Sequence, residues 1–201
     1  RDVDACAASQ AALSEHVQSL ADVDPATPSR LPGWTVGHVL THIARNADGV
    51  LRMLDGLGQY WLGRDSRNAD IELGAGRKWG VLVADVVATS AAVEARLRET
   101  ADWSGSVNMI MGERPKATLP IARRREVEIH RADLGLGYDF ADMPVDYVRA
   151  DGRLFEMLWQ SRQPMGLTRL PDAVLQRPEH ERLAWLFGRV VIGGVDPAGV
   201  I

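Results

Sequence analysis

The chain has 201 residues, 46% of them hydrophobic and 25% charged, and its formal net charge is −4 at pH 7. These values are typical of a globular protein and exclude disorder, a collagen helix and an extended coiled coil. The apolar stretches are far shorter than a membrane span, and the one dense basic cluster, at residues 123–125, is too short for a nucleic-acid footprint. The single cysteine, Cys6, fits a reducing cytoplasm, where we expect the protein to reside. Because the sequence begins with Arg1 rather than methionine, we also expect it to start inside the natural protein.

The first part of the chain predicts two amphipathic helices. Apolar residues recur at three- and four-residue steps over residues 4–20, and a proline-containing loop follows. Thr35 is a suitable N-cap, and the helical period resumes over residues 36–54.

The middle of the chain predicts a loop, a helix, a short hairpin and another helix. Residues 60–76 mix Gly, Asp, Ser, Asn and Arg, which favours a long loop with at most one short turn of helix. Residues 78–97 have the helical period, and residues 103–111 alternate as in a short hairpin or an irregular crossing. Residues 119–135 predict a fourth helix with Pro120 in its first turn.

After residue 135, frequent Gly and Pro predict shorter elements. Residues 148–160 and 179–187 have helical patterns, whereas residues 166–170 and 190–192 favour strands. The predicted fold class is therefore α+β, with a four-helix bundle over residues 1–140 and a small α/β domain over residues 141–201.

Two pairs of residues stand out as candidate metal ligands. His38 and His42 share one face of the second helix, and Glu126 and His130 share one face of the fourth. One such pair, together with a third ligand from a facing helix, can bind a divalent ion and leave one of its coordination positions open. The alternatives are a weak solvated pair and a core histidine. A zinc-protease motif is disfavoured because Val39 stands where its general-base glutamate is needed, and nucleotide-binding motifs are absent from the sequence.

Longer motifs resemble the mycothiol-dependent maleylpyruvate isomerase family. Residues 31–49 (LPGWTVGHVLTHIARNADG) are similar to its first signature and residues 125–135 (REVEIHRADLG) to its second, with RNADI at 67–71 between them and LAWLFGR at 183–189 near the end. The resemblance covers nearly the whole chain. It implies a DinB-like four-helix bundle that holds a metal at one end, followed by a small α/β C-terminal domain.

The resemblance also implies the site residues. His42, Glu126 and His130 match the metal ligands of the family, and the implied ion is Zn²⁺ or another divalent metal. His38 is not a ligand in this pattern. Arg67 and Arg189 match arginines that face the active site, where we expect them to take part in catalysis and to bind the substrate and the thiol cofactor. Arginine suits this role because it pairs with a carboxylate through two parallel hydrogen bonds.

The activity implied by the resemblance is the isomerisation of maleylpyruvate to fumarylpyruvate, with mycothiol as the thiol cofactor. The alternatives are a mycothiol S-transferase on the same scaffold and a non-catalytic bundle that binds a metal or ligand. The expected partners are therefore a small-molecule substrate and a low-molecular-weight thiol. We expect a monomer, because the sequence has no heptad seam.

Overall fold

The computed structural model describes residues 1–163 and 168–200. The chain forms two compact units, Arg1–Gly137 (the first unit) and Tyr138–Ile201 (the second unit). The described residues are mostly helical, with eight α-helices and one two-stranded sheet. Among them, no helix combines the length and apolarity that crossing a bilayer requires.

Five helices build the first unit. They are α1 (Asp2–Ser19), α2 (Val36–Leu54), α3 (Arg64–Ala75), α4 (Trp79–Glu99) and α5 (Leu119–Asp133). Helix α2 packs against α3, α4 and α5, and α1 packs against α4 and α5. The unit is thus a helical bundle in which α2 is central, and the predicted helices at 4–20, 36–54, 78–97 and 119–135 are all present.

Helix α2 forms because its ends are capped and one face is apolar. The Thr35 hydroxyl accepts a hydrogen bond from the His38 backbone, and the His38 side chain accepts one from the Thr35 backbone. This reciprocal cap satisfies two backbone donors that the first turn leaves open. The buried face of α2 lies in two core clusters, and each fully buried aliphatic side chain there contributes about 1.5–3 kcal/mol to folding. Its residues in these clusters are Val36, Val39, Leu40, Ile43, Ala44, Ala47, Val50 and Met53.

Helix α3 replaces most of the long loop predicted at residues 60–76, so that prediction was wrong. Its sequence has only three buried residues, Ile71, Gly74 and Ala75, and so it shows little helical periodicity. Close packing against α2 stabilises the helix instead. A Cβ atom added to Gly37 would lie 2.0 Å from the Ala75 carbonyl oxygen, and one added to Gly74 would lie 2.4 Å from the Thr41 methyl carbon. Glycine at both positions allows the two helices to touch.

The short hairpin predicted near residues 103–111 is present. Strand β1 (Ser106–Met109) pairs antiparallel with β2 (Gly112–Pro115), and Ser106 lies opposite Pro115. A 3₁₀ turn at Lys116–Thr118 then leads into α5.

The described part of the second unit is helical. It contains α6 (Val145–Ser161), the short α7 (Asp172–Leu175) and α8 (Glu179–Leu186), so both predicted helices are present. Aromatic pairs join α6 to α8 and its end, with ring centroids 4.3 Å apart for Phe155 and Phe187 and 6.0 Å apart for Trp159 and Trp185.

The strands predicted in the second unit are not seen where it is described. Residues 168–170 and 190–192 are not in strands, and residues 166 and 167 lie outside the described part. Two glycines follow Ile192, and Gly194 has a φ of 77°. A strand at 190–192 would end there at once, and the described residues supply no partner strand for it.

Candidate metal centre

Three side chains from α2 and α5 meet at one point in the first unit. His42 Nε2 lies 2.9 Å from Glu126 Oε2 and 3.0 Å from His130 Nε2, and His130 Nε2 lies 3.5 Å from Glu126 Oε2. Among the described residues, this is the one group of three that brings ligating atoms together closely enough to hold a metal ion.

The helices place these side chains by simple spacing. Glu126 and His130 are one turn apart on α5, so they project from the same face. His42 comes from α2, which packs against α5. Its side chain is only 4% exposed, whereas that of Glu126 is 33% exposed, so the cluster is closed on the α2 side and reachable from the Glu126 side.

Asp133 fixes the orientation of His130. Its carboxylate oxygen Oδ2 lies 2.9 Å from His130 Nδ1, and the Asp133 side chain is 1% exposed. A proton on Nδ1 is thereby held by Asp133, and Nε2 is directed toward Glu126 and His42. Carboxylates bound in this way to a histidine are typical of metal sites, where they set the tautomer and raise the basicity of the ligand.

Arg67 and Trp34 complete the surroundings of His42. Arg67 Nη2 lies 3.1 Å from His42 Nδ1, and its guanidinium carbon lies 6.0 Å from the centre of the Trp34 ring. The Trp34 ring meets the His42 ring edge-on at a centroid distance of 5.6 Å.

The protonation of the ion-free cluster follows from burial and from these contacts. Burial, and then the charge on His130, lower the pKa of His42 to about 4. Burial also opposes the charge on His130, but the hydrogen bonds to Asp133 and Glu126 outweigh it and raise the pKa of His130 to about 9. Burial similarly opposes ionisation of Glu126, yet both histidines together hold its pKa well below the usual value. Glu126 is therefore a carboxylate at neutral pH.

The cluster has the donor set and spacing of a divalent metal site. Three donors that each lie about 2.0–2.1 Å from one tetrahedral Zn²⁺ are about 3.3–3.4 Å apart. The observed separations of 2.9, 3.0 and 3.5 Å are close to that value. Two imidazole nitrogens and one carboxylate oxygen, with the Glu126 side accessible, leave room for a further ligand.

The other sequence-predicted residues lie elsewhere. His38 is occupied in the cap of α2, and its Nε2 lies 3.4 Å from Glu72. Arg189 belongs to the second unit, where its guanidinium donates to the Phe187 carbonyl at 2.7 Å. Trp34 was not among the predicted site residues, although its place in the same motif as His42 was a usable signal.

Comparisons with known proteins identify the family of the chain and proteins of similar fold. The family model described as the mycothiol maleylpyruvate isomerase N-terminal domain matches residues 6–135. A solved structure of the mycothiol-dependent maleylpyruvate isomerase has a TM-score of 0.81 at 22% identity, covering 94% of this chain and 88% of that chain. A histidine-to-alanine mutant of the mycothiol-dependent maleylpyruvate isomerase has a TM-score of 0.80 at 21% identity with the same coverage. No curated protein matches the chain significantly. The structural likeness shows a shared fold, and the family match covers all three residues of the cluster.

Proposed function

Because the chain belongs to the mycothiol maleylpyruvate isomerase family, we propose that it is a metal- and thiol-dependent cis–trans isomerase. The proposed reaction converts maleylpyruvate to fumarylpyruvate, with mycothiol as the thiol cofactor. The observation that supports this most directly is the convergence of His42, Glu126 and His130 within the part of the chain that the family model matches.

His42, Glu126 and His130 are the proposed metal ligands, and their donor atoms fit a divalent ion such as Zn²⁺. When bound, such an ion would supply a Lewis acid that favours the thiolate form of a thiol at neutral pH. Asp133 holds one proton of His130 at Nδ1, so the proton that must leave when an ion is bound is the one on Nε2, which then becomes the ligand atom. Glu126 is already ionised, so no proton has to leave it when an ion is bound.

Arg67 is the proposed group that binds a substrate carboxylate. It lies beside His42, and its flat guanidinium matches a carboxylate through two hydrogen bonds. We propose the same role for Arg189 toward the other carboxylate of the substrate, and hydrogen bonding of both arginines to the thiol cofactor. The substrate and its product are both dicarboxylates, so two fixed cations suit them.

The proposal also includes the type of helical bundle and the boundary between the two domains. The helical bundle of the first unit would be of the DinB-like type, with residues 1–140 as the bundle domain and 141–201 as the C-terminal domain. We further propose that the protein acts as a cytoplasmic monomer.

The first test is the metal content of protein purified without added metal, measured by elemental analysis beside the His42→Ala variant. We expect about one equivalent of zinc or another divalent metal in the parent and little in the variant. Absence of metal from both proteins would overturn the proposed site.

The second test supplies mycothiol and maleylpyruvate and follows both compounds. Formation of fumarylpyruvate with the thiol recovered unchanged is the expected result. Consumption of the thiol in proportion to the substrate would instead identify an S-transferase. No turnover by metal-loaded protein would favour a bundle that only binds its ligands.

A further inference from the structure

A buried arginine lies one turn before the cluster on α5. Arg123 precedes Glu126 by three residues, and its side chain is 0% exposed. Among the described residues, no carboxylate forms a salt bridge with it, and its Nη2 atom is buried without a hydrogen-bond partner. A buried cation that lacks a carboxylate is costly, because removing it from water is only partly offset by neutral acceptors. Packing alone would be served better by an apolar residue at this position.

The hydrogen bonds of Arg123 show what it does instead. Its Nη1 donates to the Ile43 carbonyl oxygen at 2.8 Å and to Asn46 Oδ1 at 2.9 Å, and both acceptors belong to α2. Its Nε donates to Gln10 Oε1 at 3.0 Å, on α1. One rigid guanidinium therefore connects α5 to α2 directly beside the cluster, and separately to α1.

The two α2 acceptors flank the proposed ligand of that helix. Ile43 follows His42 in the chain, and Asn46 lies one turn further along α2. On α5, Arg123 lies one turn before Glu126. The Arg123–Asn46 contact is thus one helical turn below the His42–Glu126 contact, and it joins the same two helices.

We infer that Arg123 is a positioning residue for the proposed metal site, which holds α2 against α5 at the separation that the three ligands need. The inference rests on the proposed function, because it concerns the same ligand cluster. A ligand set held in place beforehand binds an ion more tightly than one that must assemble around it. Of the three acceptors of Arg123, those on α2 should affect metal affinity, whereas Gln10 on α1 should not, because α1 supplies no ligand.

The test measures Zn²⁺ affinity by competition with a chromophoric chelator for the parent and three variants. Arg123→Met removes the guanidinium and keeps an unbranched chain of similar length. Asn46→Ala and Gln10→Ala are matched truncations, which remove one acceptor each on α2 and on α1. The visible absorption spectrum of the Co²⁺-loaded proteins provides a second readout, since its intensity reports the coordination geometry.

We expect Arg123→Met and Asn46→Ala to bind Zn²⁺ about 10–100-fold more weakly than the parent, with altered Co²⁺ spectra. Gln10→Ala should keep the affinity and spectrum of the parent. If Arg123→Met fails to fold, the two alanine variants decide the question, because they retain Arg123.

Equal affinity of all variants and the parent would overturn the inference. So would an equal loss in Gln10→Ala and Asn46→Ala, because that result would mean a general loosening of the bundle. A parent protein that binds no ion would overturn the proposed metal site itself, and the inference with it. The failure of the inference alone is thus distinguishable, since the parent then binds Zn²⁺ normally.

Discussion

Arg67 restricts the protonation of His42 while the two side chains are in contact. A guanidinium can only donate hydrogen bonds, so His42 Nδ1 accepts from Arg67 and the imidazole proton is on Nε2, directed at Glu126. If Nε2 binds an ion, the proton of the neutral ring must be on Nδ1, where Arg67 can no longer donate. Arg67 is then available to a substrate carboxylate.

This role predicts the effect of Arg67→Met. We expect KM for maleylpyruvate to rise about 10–100-fold, because charge-assisted hydrogen bonds of about 1.5–3 kcal/mol are lost. The metal content should stay at the level of the parent. Steady-state kinetics with elemental analysis measures both, and Arg64→Met, near the start of the same helix, is the control. An unchanged KM would show that Arg67 does not bind the substrate.

Asp133→Asn tests the support of His130. The amide has the shape of the carboxylate but not its charge, so it holds the Nδ1 proton less firmly. Loss of a carboxylate partner of a ligating histidine lowers metal affinity about 10–100-fold, and we expect that loss in chelator competition. Asp102→Asn, at an exposed position, should bind as the parent does. If both variants bind equally well, Asp133 has no influence on the ligand.

A site residue could be predicted from the sequence when the residues that it contacts are close to it along the chain. The pairing of Glu126 with His130 follows from a spacing of four residues. The partnership with His42 came only from the resemblance to a family, because it joins residues that are 84 positions apart. Arg123 lies in a run of three arginines that looks solvent-exposed. Its burial depends on acceptors 77 and 113 positions away, which no local pattern shows.

The close contact between helices α2 and α3 predicts how a substitution at Gly37 changes the stability of the protein. Gly37→Ala would place a methyl group against the Ala75 carbonyl oxygen, so α3 would have to move away from α2. We expect a loss of about 1–3 kcal/mol in the free energy of unfolding, measured by urea denaturation. Gly80→Ala is the control, because no atom outside its chain neighbours and its own helix backbone lies within 4 Å of the new methyl group, and alanine favours the helix. Equal stability of the two variants would contradict this account of α3.

The elements that sequence reasoning identified have their own apolar stripe or capping signals. Helices α1, α2, α4 and α5 bury a recurring set of apolar residues, and Thr35 and Pro120 mark two of their starts. Helix α3 was missed because glycine contacts with α2, rather than an apolar stripe, hold it in place. The predicted strand at residues 190–192 consists of apolar residues, but a strand also needs a neighbour, which composition does not reveal.

For the whole molecule, the two histidines predict a stability maximum of the metal-free protein near pH 6.5, the value from which both pKa values depart. The pKa of His130 is raised to about 9, so its stabilising contribution is complete below pH 6.5 and is lost as the pH rises through 9. The pKa of His42 is lowered to about 4. As the pH falls below 6.5, His42 takes up a proton in the unfolded chain but not in the folded protein. The free energy of unfolding therefore falls on the acidic side as well.

Thermal unfolding in the presence of a chelator, from about pH 5 to about pH 10, measures this profile. Asp133→Asn should make its alkaline side less steep, because one of the two carboxylates that raise the pKa of His130 loses its charge. An alkaline decline of the same size in parent and variant would rule out His130 as its cause.

The division of the chain into two compact units also has an evolutionary consequence. The three proposed ligands all precede Gly137, and so do Asp133, Arg123 and Arg67. Substitutions after that residue leave the three proposed ligands unchanged in sequence. We therefore expect a chain with a different second unit to be able to keep the proposed metal site, whereas a chain with a different first unit would lose it.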